Sequence, residues 1–152
     1  LPEQFATSFS KVASSKQDIL IEKYIPGREL TAAILMGRRL PLLEIIPKAG
    51  FYDYDNKYTP GNSDYVCPAP VGSPTYEKIS SDARRLYDLV GCSGVARVDF
   101  RLDGDTYSCL EINTIPGMTA TSLVPKAALA VGIGFGDLLV DICEEAISHR
   151  QK

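Results

Sequence analysis

Arg97-Val98-Asp99-Phe100, a turn at Asp103-Gly104-Asp105-Thr106, then Leu110-Glu111-Ile112-Asn113 running into Thr114-Ile115-Pro116-Gly117-Met118 is the stretch on which the fold turns. With a period of two, Ala96, Val98, Phe100 and Leu102 share one strand face with Leu110 and Ile112, while Arg97, Asp99, Glu111 and Asn113 share the other. The turn carries hairpin chemistry, because glycine adopts positive φ without steric cost and aspartate tolerates it. Burying both apolar sets on one side requires odd residues to face odd ones, so Asp99 is expected opposite Glu111 and Arg97 opposite Asn113.

That register poses an electrostatic problem. Two carboxylates about 5 Å apart repel by roughly 3 kcal/mol at an effective dielectric of about 20, so a positive charge must accompany them. Two carboxylates and an amide oxygen are hard donors that suit magnesium shared with phosphates. The competing reading is that Arg97 alone neutralises the pair, or that another register leaves the charges facing water.

At 152 residues, with 23% charged residues and a net charge of −3, the chain suits one ordinary domain with a real core and no general affinity for nucleic acid. It starts at Leu1 rather than Met, as a fragment would. No apolar run approaches the roughly 20 residues of a membrane span, and the first residues lack the blocks of a signal peptide, so no membrane partner is expected and the cytoplasm is the default. Cys67, Cys92, Cys109 and Cys143 have no metal-like spacing and read as reduced, buried thiols.

Around the hairpin, Pro2 to Ser14 reads as a helix through Phe5, Phe9 and Val12, and Ile19 to Ile25 as a strand ended by Pro26-Gly27. Strands Arg28–Met36 and Arg39–Pro47 flank Gly37-Arg38, with Glu29 and Glu44 as their acidic exceptions. Lys48 to Pro70 is irregular, and its Phe51–Tyr58 portion suits a lid, with Lys57 toward phosphate. Ser73-Pro74 opens a helix with a stripe of Ile79, Ala83, Leu86 and Val90, ended by Gly91. Ser122 caps a short helix through Val131, whose amino end could hold an anion or be simply capped. A last helix, from about Gly136 to Arg150, is expected to bury Leu139, Ile142, Cys143 and Ala146, with His149 a solvated helix end. Antiparallel strands with grouped helices indicate α+β.

Glu22-Lys23-Tyr24-Ile25-Pro26-Gly27-Arg28-Glu29, Phe51-Tyr52-Asp53-Tyr54 with Lys57-Tyr58, Arg97-Val98-Asp99 and Glu111-Ile112-Asn113-Thr114-Ile115-Pro116-Gly117-Met118, taken together and in order, resemble the D-alanine:D-alanine ligase family of the ATP-grasp superfamily. The resemblance runs from about Asp18 to the end of the chain. It implies an ATP-grasp carboxy-terminal domain, mainly antiparallel sheet with flanking helices, over residues 26–152, preceded in 1–25 by the end of the central subdomain. It implies ATP and two magnesium ions, with manganese able to substitute, and Asp99, Glu111 and Asn113 as the metal ligands. Glu22, Lys23, Tyr24 and Ile25 resemble the adenine-contacting hinge, and Glu29 the carboxylate that accepts from the ribose. Lys57, Tyr58 and Tyr52 resemble the loop that covers phosphate and substrates. Arg97 and the Gly117 backbone resemble the oxyanion stabilisers, and Ser122 and Leu123 the holder of the second substrate's carboxylate.

The activity so implied joins two D-alanines through a D-alanyl phosphate for cell-wall peptidoglycan, in a whole enzyme for which a homodimer is one open assembly. Two alternatives stand beside it, a ligase whose acceptor is D-lactate or D-serine, and a nucleotide-binding module without catalysis. Read without the resemblance, Asp99 and Glu111 could also be a glycosidase acid pair, which the absence of Trp weakens. The resemblance also implies that an amino-terminal substrate domain is missing, so the chain alone is expected to be inactive as a ligase.

Overall fold

The computed structural model describes residues 2–14, 18–48 and 63–149. Its elements are α1 (Pro2–Ala13), β1 (Arg28–Leu35), β2 (Arg38–Arg39), β3 (Leu43–Pro47), β4 (Ser63–Val66), α2 (Ser73–Val90), β5 (Val95–Asp103), β6 (Thr106–Asn113), α3 (Leu123–Leu129) and α4 (Phe135–His149). The sheet runs β4-β3-β1-β5-β6, each neighbour antiparallel, with β2 pairing β1. The expected α+β, mainly antiparallel architecture is the one observed. Among the described residues no helix is long and apolar enough to cross a membrane.

Alternation splits the sheet into two working faces. On one, Leu30, Ala32 and Ile34 of β1 and Val98, Phe100 and Leu102 of β5 meet Ile79, Ala83 and Tyr87 of α2 in the main core. On the other, Ala33 and Leu35 pack against Val124, Ala127 and Ala128 of α3 and Leu138 of α4. That second face carries Glu29, Thr31, Asp99 and Arg101 further along the same strands, all nearly buried. The helices on this side therefore cover one end of the sheet and leave a polar patch at the other.

The central hairpin departs from simple alternation in one informative way. The Asp99↔Glu111 and Arg97↔Asn113 pairs form as expected, but nearer the turn the partners are Phe100↔Cys109 and Asp103↔Thr106, with a bulge between the two halves. The turn is only Gly104-Asp105, and a ladder begun from it without a bulge would pair Asp99 with Leu110 and Val98 with Glu111. Leu110 is the extra residue that corrects the phase. Its expected place in the core is thus wrong; it is 44% exposed, and Tyr107 takes up the apolar position, its ring edge-on to Phe100 at 6.0 Å.

Other expectations shift for local reasons. Residues 18–26 form no strand, because no described segment offers them a ladder. The Arg39–Pro47 strand is interrupted at Leu40-Pro41-Leu42, where Pro41 has no N–H to donate. The irregular stretch contains β4, which adds to β3 as an edge. Helix α2 is capped by Gly72, with Ser73 already helical; Gly91 ends it in the left-handed conformation as expected, while Val90 is exposed and Tyr87 buried instead. Helix α3 stops at Leu129, and α4 buries Leu138 rather than Leu139 or Cys143. All four cysteines are free, as expected, but Cys109 and Cys143 are exposed and Cys67 and Cys92 only partly buried.

One titration follows from the hairpin's outer side. The Tyr107 hydroxyl donates to Asp82 Oδ2 at 2.6 Å, and this bond, with burial, pushes the phenol up to about 12. A phenol ordinarily near 10 and held higher in the folded chain contributes stability in full below pH 10 and loses it as pH rises through 12. Denaturant melts are expected to show a steeper loss of stability between pH 10 and 12 for the parent than for Tyr107→Phe; parallel curves would contradict the assignment.

Candidate active site

Three neighbouring strands build the polar patch. Thr31 of β1 lies opposite Asp99 of β5, which lies opposite Glu111 of β6, and Glu29 lies opposite Arg101. Asp99 is 6% exposed, and a carboxylate so placed needs donors. Thr31 Oγ1 donates to its Oδ1 at 2.6 Å, and Arg97 clamps both oxygens, Nε to Oδ1 at 2.9 Å and an Nη to Oδ2 at 2.7 Å. Of the two carboxylates Arg97 is thus paired with Asp99 alone, where the competing reading of the sequence had it neutralise both. Glu111 is exposed and makes no side-chain hydrogen bond or ion pair with the described residues.

Whether these residues fit magnesium can be judged from the donor set. Asp99, Glu111 and Asn113 offer only oxygen, which excludes soft-metal preference and suits a hard cation. A carboxylate has about four lone-pair sites, so Asp99 retains acceptor capacity beyond Arg97 and Thr31. Asn113 Oδ1 accepts from the Ile115 N–H at 3.1 Å, which orients the amide. Among the described residues no group of three His, Cys, Asp or Glu could hold a metal by itself. The set fits an ion completed by ligand oxygens rather than a closed structural site.

Beside the carboxylates opens a cavity of about 410 Å³. Glu22, Lys23, Tyr24 and Ile25 form one wall, Cys109, Leu110 and Glu111 another, and Glu29, Asp99 and Arg101 the floor. Arg101 ties the walls together: it donates to Gly27 O at 2.9 Å, lies 3.7 Å from Glu29 Oε2, and sits 5.8 Å from the Tyr24 ring centroid. Gly27 is required at this tie, because its φ is +106° and a Cβ there would lie 2.2 Å from Leu102 O.

The cavity thus brings together Glu22, Lys23, Tyr24, Ile25, Glu29, Asp99 and Glu111. It does not reach Gly117, Ser122 or Leu123, which belong to a separate turn after β6. There the Ser122 N–H donates to Thr119 O, and the Ser122 hydroxyl accepts from the Thr119 N–H at 3.0 Å. The expected side-chain cap on α3 is therefore absent; the hydroxyl closes the preceding turn instead. A Cβ at Gly117 would lie 3.3 Å from Ser122 Oγ, so the two residues are in contact. The Leu123 side chain is buried against Leu43 and Ile45, leaving its backbone N–H and that of Val124 as the first donors of α3. Tyr52, Lys57 and Tyr58 lie outside the described residues.

Sequence reasoning missed Thr31, Arg101 and Leu110. Thr31 could have been found from the β1 alternation, which puts it on the Glu29 face, and Arg101 from the β5 alternation, which puts it on the Asp99 face. Leu110 could not, because period two assigns it to the core.

The geometry agrees with known proteins. The solved D-alanine–D-alanine ligase of Bacillus anthracis complexed with ATP superposes with a TM-score of 0.82 at 32% identity, over 98% of this chain and 49% of that one. The sheet and its helices are those of an ATP-grasp carboxy-terminal domain. The profile of the family described as D-ala D-ala ligase C-terminus matches residues 2–144, and the chain belongs to that family. Similar relatives include the D-alanine–D-alanine ligases of Brucella anthropi, 51% identical over 140 residues, and of Carboxydothermus hydrogenoformans, 43% identical over 156. These alignments cover 88% and 99% of this chain, but 45% and 50% of the relatives, so the chain spans about half their length.

Proposed function

We propose that this chain is the phosphate-handling half of a cytoplasmic ligase that uses ATP to join two D-alanines for peptidoglycan. The reading is carried by one observation, the adjacency of Asp99, Glu111 and Asn113 on paired strands beside the cavity walled by Glu22–Ile25. In this reading the Tyr24–Ile25 backbone and Leu110 hold the adenine, Glu29 accepts from the ribose, and Asp99, Glu111 and Asn113 would hold two magnesium ions. Magnesium bound there would supply neutralisation of the phosphate charge.

The reaction then has two steps. A carboxylate oxygen of the first D-alanine bonds to the γ-phosphorus as the bond to the β,γ-bridging oxygen breaks, giving D-alanyl phosphate and ADP. The amine of the second D-alanine attacks the acyl carbon, loses a proton, and phosphate leaves. Arg97 and the Gly117 N–H stabilise the oxyanion of the tetrahedral intermediate, and the first turn of α3 at Ser122-Leu123 holds the second carboxylate. Lys57, Tyr58 and Tyr52 close over the phosphates, a role that rests on family membership alone. The relatives carry the name of a D-alanine acceptor, which favours it over D-lactate or D-serine.

The direct test is calorimetry of the chain with a nonhydrolysable ATP analogue and magnesium. Saturable binding that needs the metal is expected; binding indifferent to magnesium, or none, would overturn the assignment. Thr31→Val sharpens it by removing the donor that orients Asp99 while keeping the shape. Outer-shell partners of this kind contribute about 10- to 100-fold to metal affinity, so magnesium-dependent binding is expected to weaken by at least about tenfold. The chain by itself is expected to show no ligase turnover, and a coupled phosphate-release assay with D-alanine and ATP measures this.

A further inference from the structure

A second hollow, about 520 Å³, lies between the start of β5, the segment after β6 and helix α4, and it shares no lining residue with the cavity described above. Its walls include Val95, Met118, Leu139 and Ile142. The sequence places Leu139 in a core stripe, but Leu138 occupies the core, leaving Leu139, Cys143 and Ala146 to line this hollow.

Set among these apolar walls is one carboxylate. Glu145 Oε2 is buried and has no hydrogen-bond partner among the described residues, while Oε1 lies 3.5 Å from Nε2 of His149, a largely exposed ring. The nearby Tyr87 hydroxyl is already engaged, donating to Gly94 O at 3.3 Å. No Lys or Arg among the described residues lines the hollow. A buried carboxylate oxygen without a donor is costly, and a ligand that supplies one recovers that cost.

We infer that this hollow is a binding site for a small organic cation, a guanidinium or primary ammonium group carried on a short apolar stem. The stem matches the Val95, Leu139 and Ile142 walls, and a turn of the Glu145 carboxylate on binding brings Oε2 to the charged head, a guanidinium having the added capacity to bridge both carboxylate oxygens. A nucleotide does not fit, since its anionic phosphates would meet Glu145 with only His149 among the described lining residues to offset them. The inference is independent of the ligase reading.

Methyl-resolved NMR titration of the 152-residue chain with n-butylguanidinium, n-butylammonium and the neutral n-butylurea tests it. Both cations are expected to bind at least about tenfold more tightly than the urea, with shifts at Val95, Met118, Leu139 and Ile142. Glu145→Gln is expected to reduce that preference to less than about twofold. Ala146→Leu, which narrows the hollow without touching the carboxylate, is expected to weaken all three probes and decides the matter should Glu145→Gln fail to fold. Equal affinity for cation and urea, shifts centred elsewhere, or no binding would overturn the site, whatever the nucleotide experiments show.

Discussion

Glu111→Gln, introduced into an enzyme of the relatives' full length, is expected to lower turnover by about three orders of magnitude. In the proposed role Glu111 would hold an ion worth several kcal/mol of charge stabilisation, and each ~1.4 kcal/mol is a factor of ten in rate. Glu111 is the informative position because it is exposed and makes no side-chain hydrogen bond or ion pair with the described residues, so its loss breaks nothing in the fold. Asp99 would be a poorer choice, since its removal also strands the Arg97 guanidinium and the Thr31 hydroxyl. Steady-state kinetics with D-alanine and ATP, set beside an unchanged thermal melt, is the measurement. Turnover within about tenfold of the parent would remove Glu111 from the proposed metal site.

Phe100→Ala is expected to be the most damaging core substitution, at about 3–5 kcal/mol. Phe100 is 1% exposed at the centre of the main core, and its ring meets Tyr107 edge-on. It also follows Asp99 directly in the strand, on the opposite face. A cavity there loosens the strand that carries both Asp99 and Arg97, so packing and site are coupled through one backbone segment. Since whole domains are stable by only about 5–15 kcal/mol, urea melts should show a midpoint near or below the start of the parent's transition. A loss under about 1 kcal/mol would mean that the core can close around the gap.

The parts of the molecule legible in its sequence are those governed by local periodicity and by turn chemistry. Helix α2 ends at Gly91 because only a residue tolerant of left-handed φ stops a helix so cheaply, and that is visible in one letter. The parity of the Asp99–Glu111 pair was legible because burying Val98 and Ile112 on one side sets odd residues against odd ones, while the bulge that makes Glu111 the partner was not. What escaped were features decided between distant segments. Residues 18–26 have the composition of a strand, yet a strand requires a neighbour, which no local pattern reports. The stripe of α4 was read one residue out of phase, because Leu138, Leu139 and Val140 are adjacent and equally apolar and the choice among them is made by α3. The face of Arg101 and Thr31 was open to reading, but their partners, Gly27 O and Asp99, come from other segments of the chain and no local pattern reports them.

The bulge at Leu110 has a consequence for how the site can change. Excising Leu110 would leave Cys109 joined to Glu111, and the two-residue turn would then lead to Phe100↔Cys109 and Asp99↔Glu111 as an uninterrupted ladder. The leucine is therefore an insert that the ribbon can do without, and its side chain lines the pocket while the acidic pair is kept by its neighbours. Under the proposed reading, the residue that would face the base and those that would hold the ion are in this way separable at the level of a single codon, so a lineage or an engineer could retune the first while leaving the second untouched.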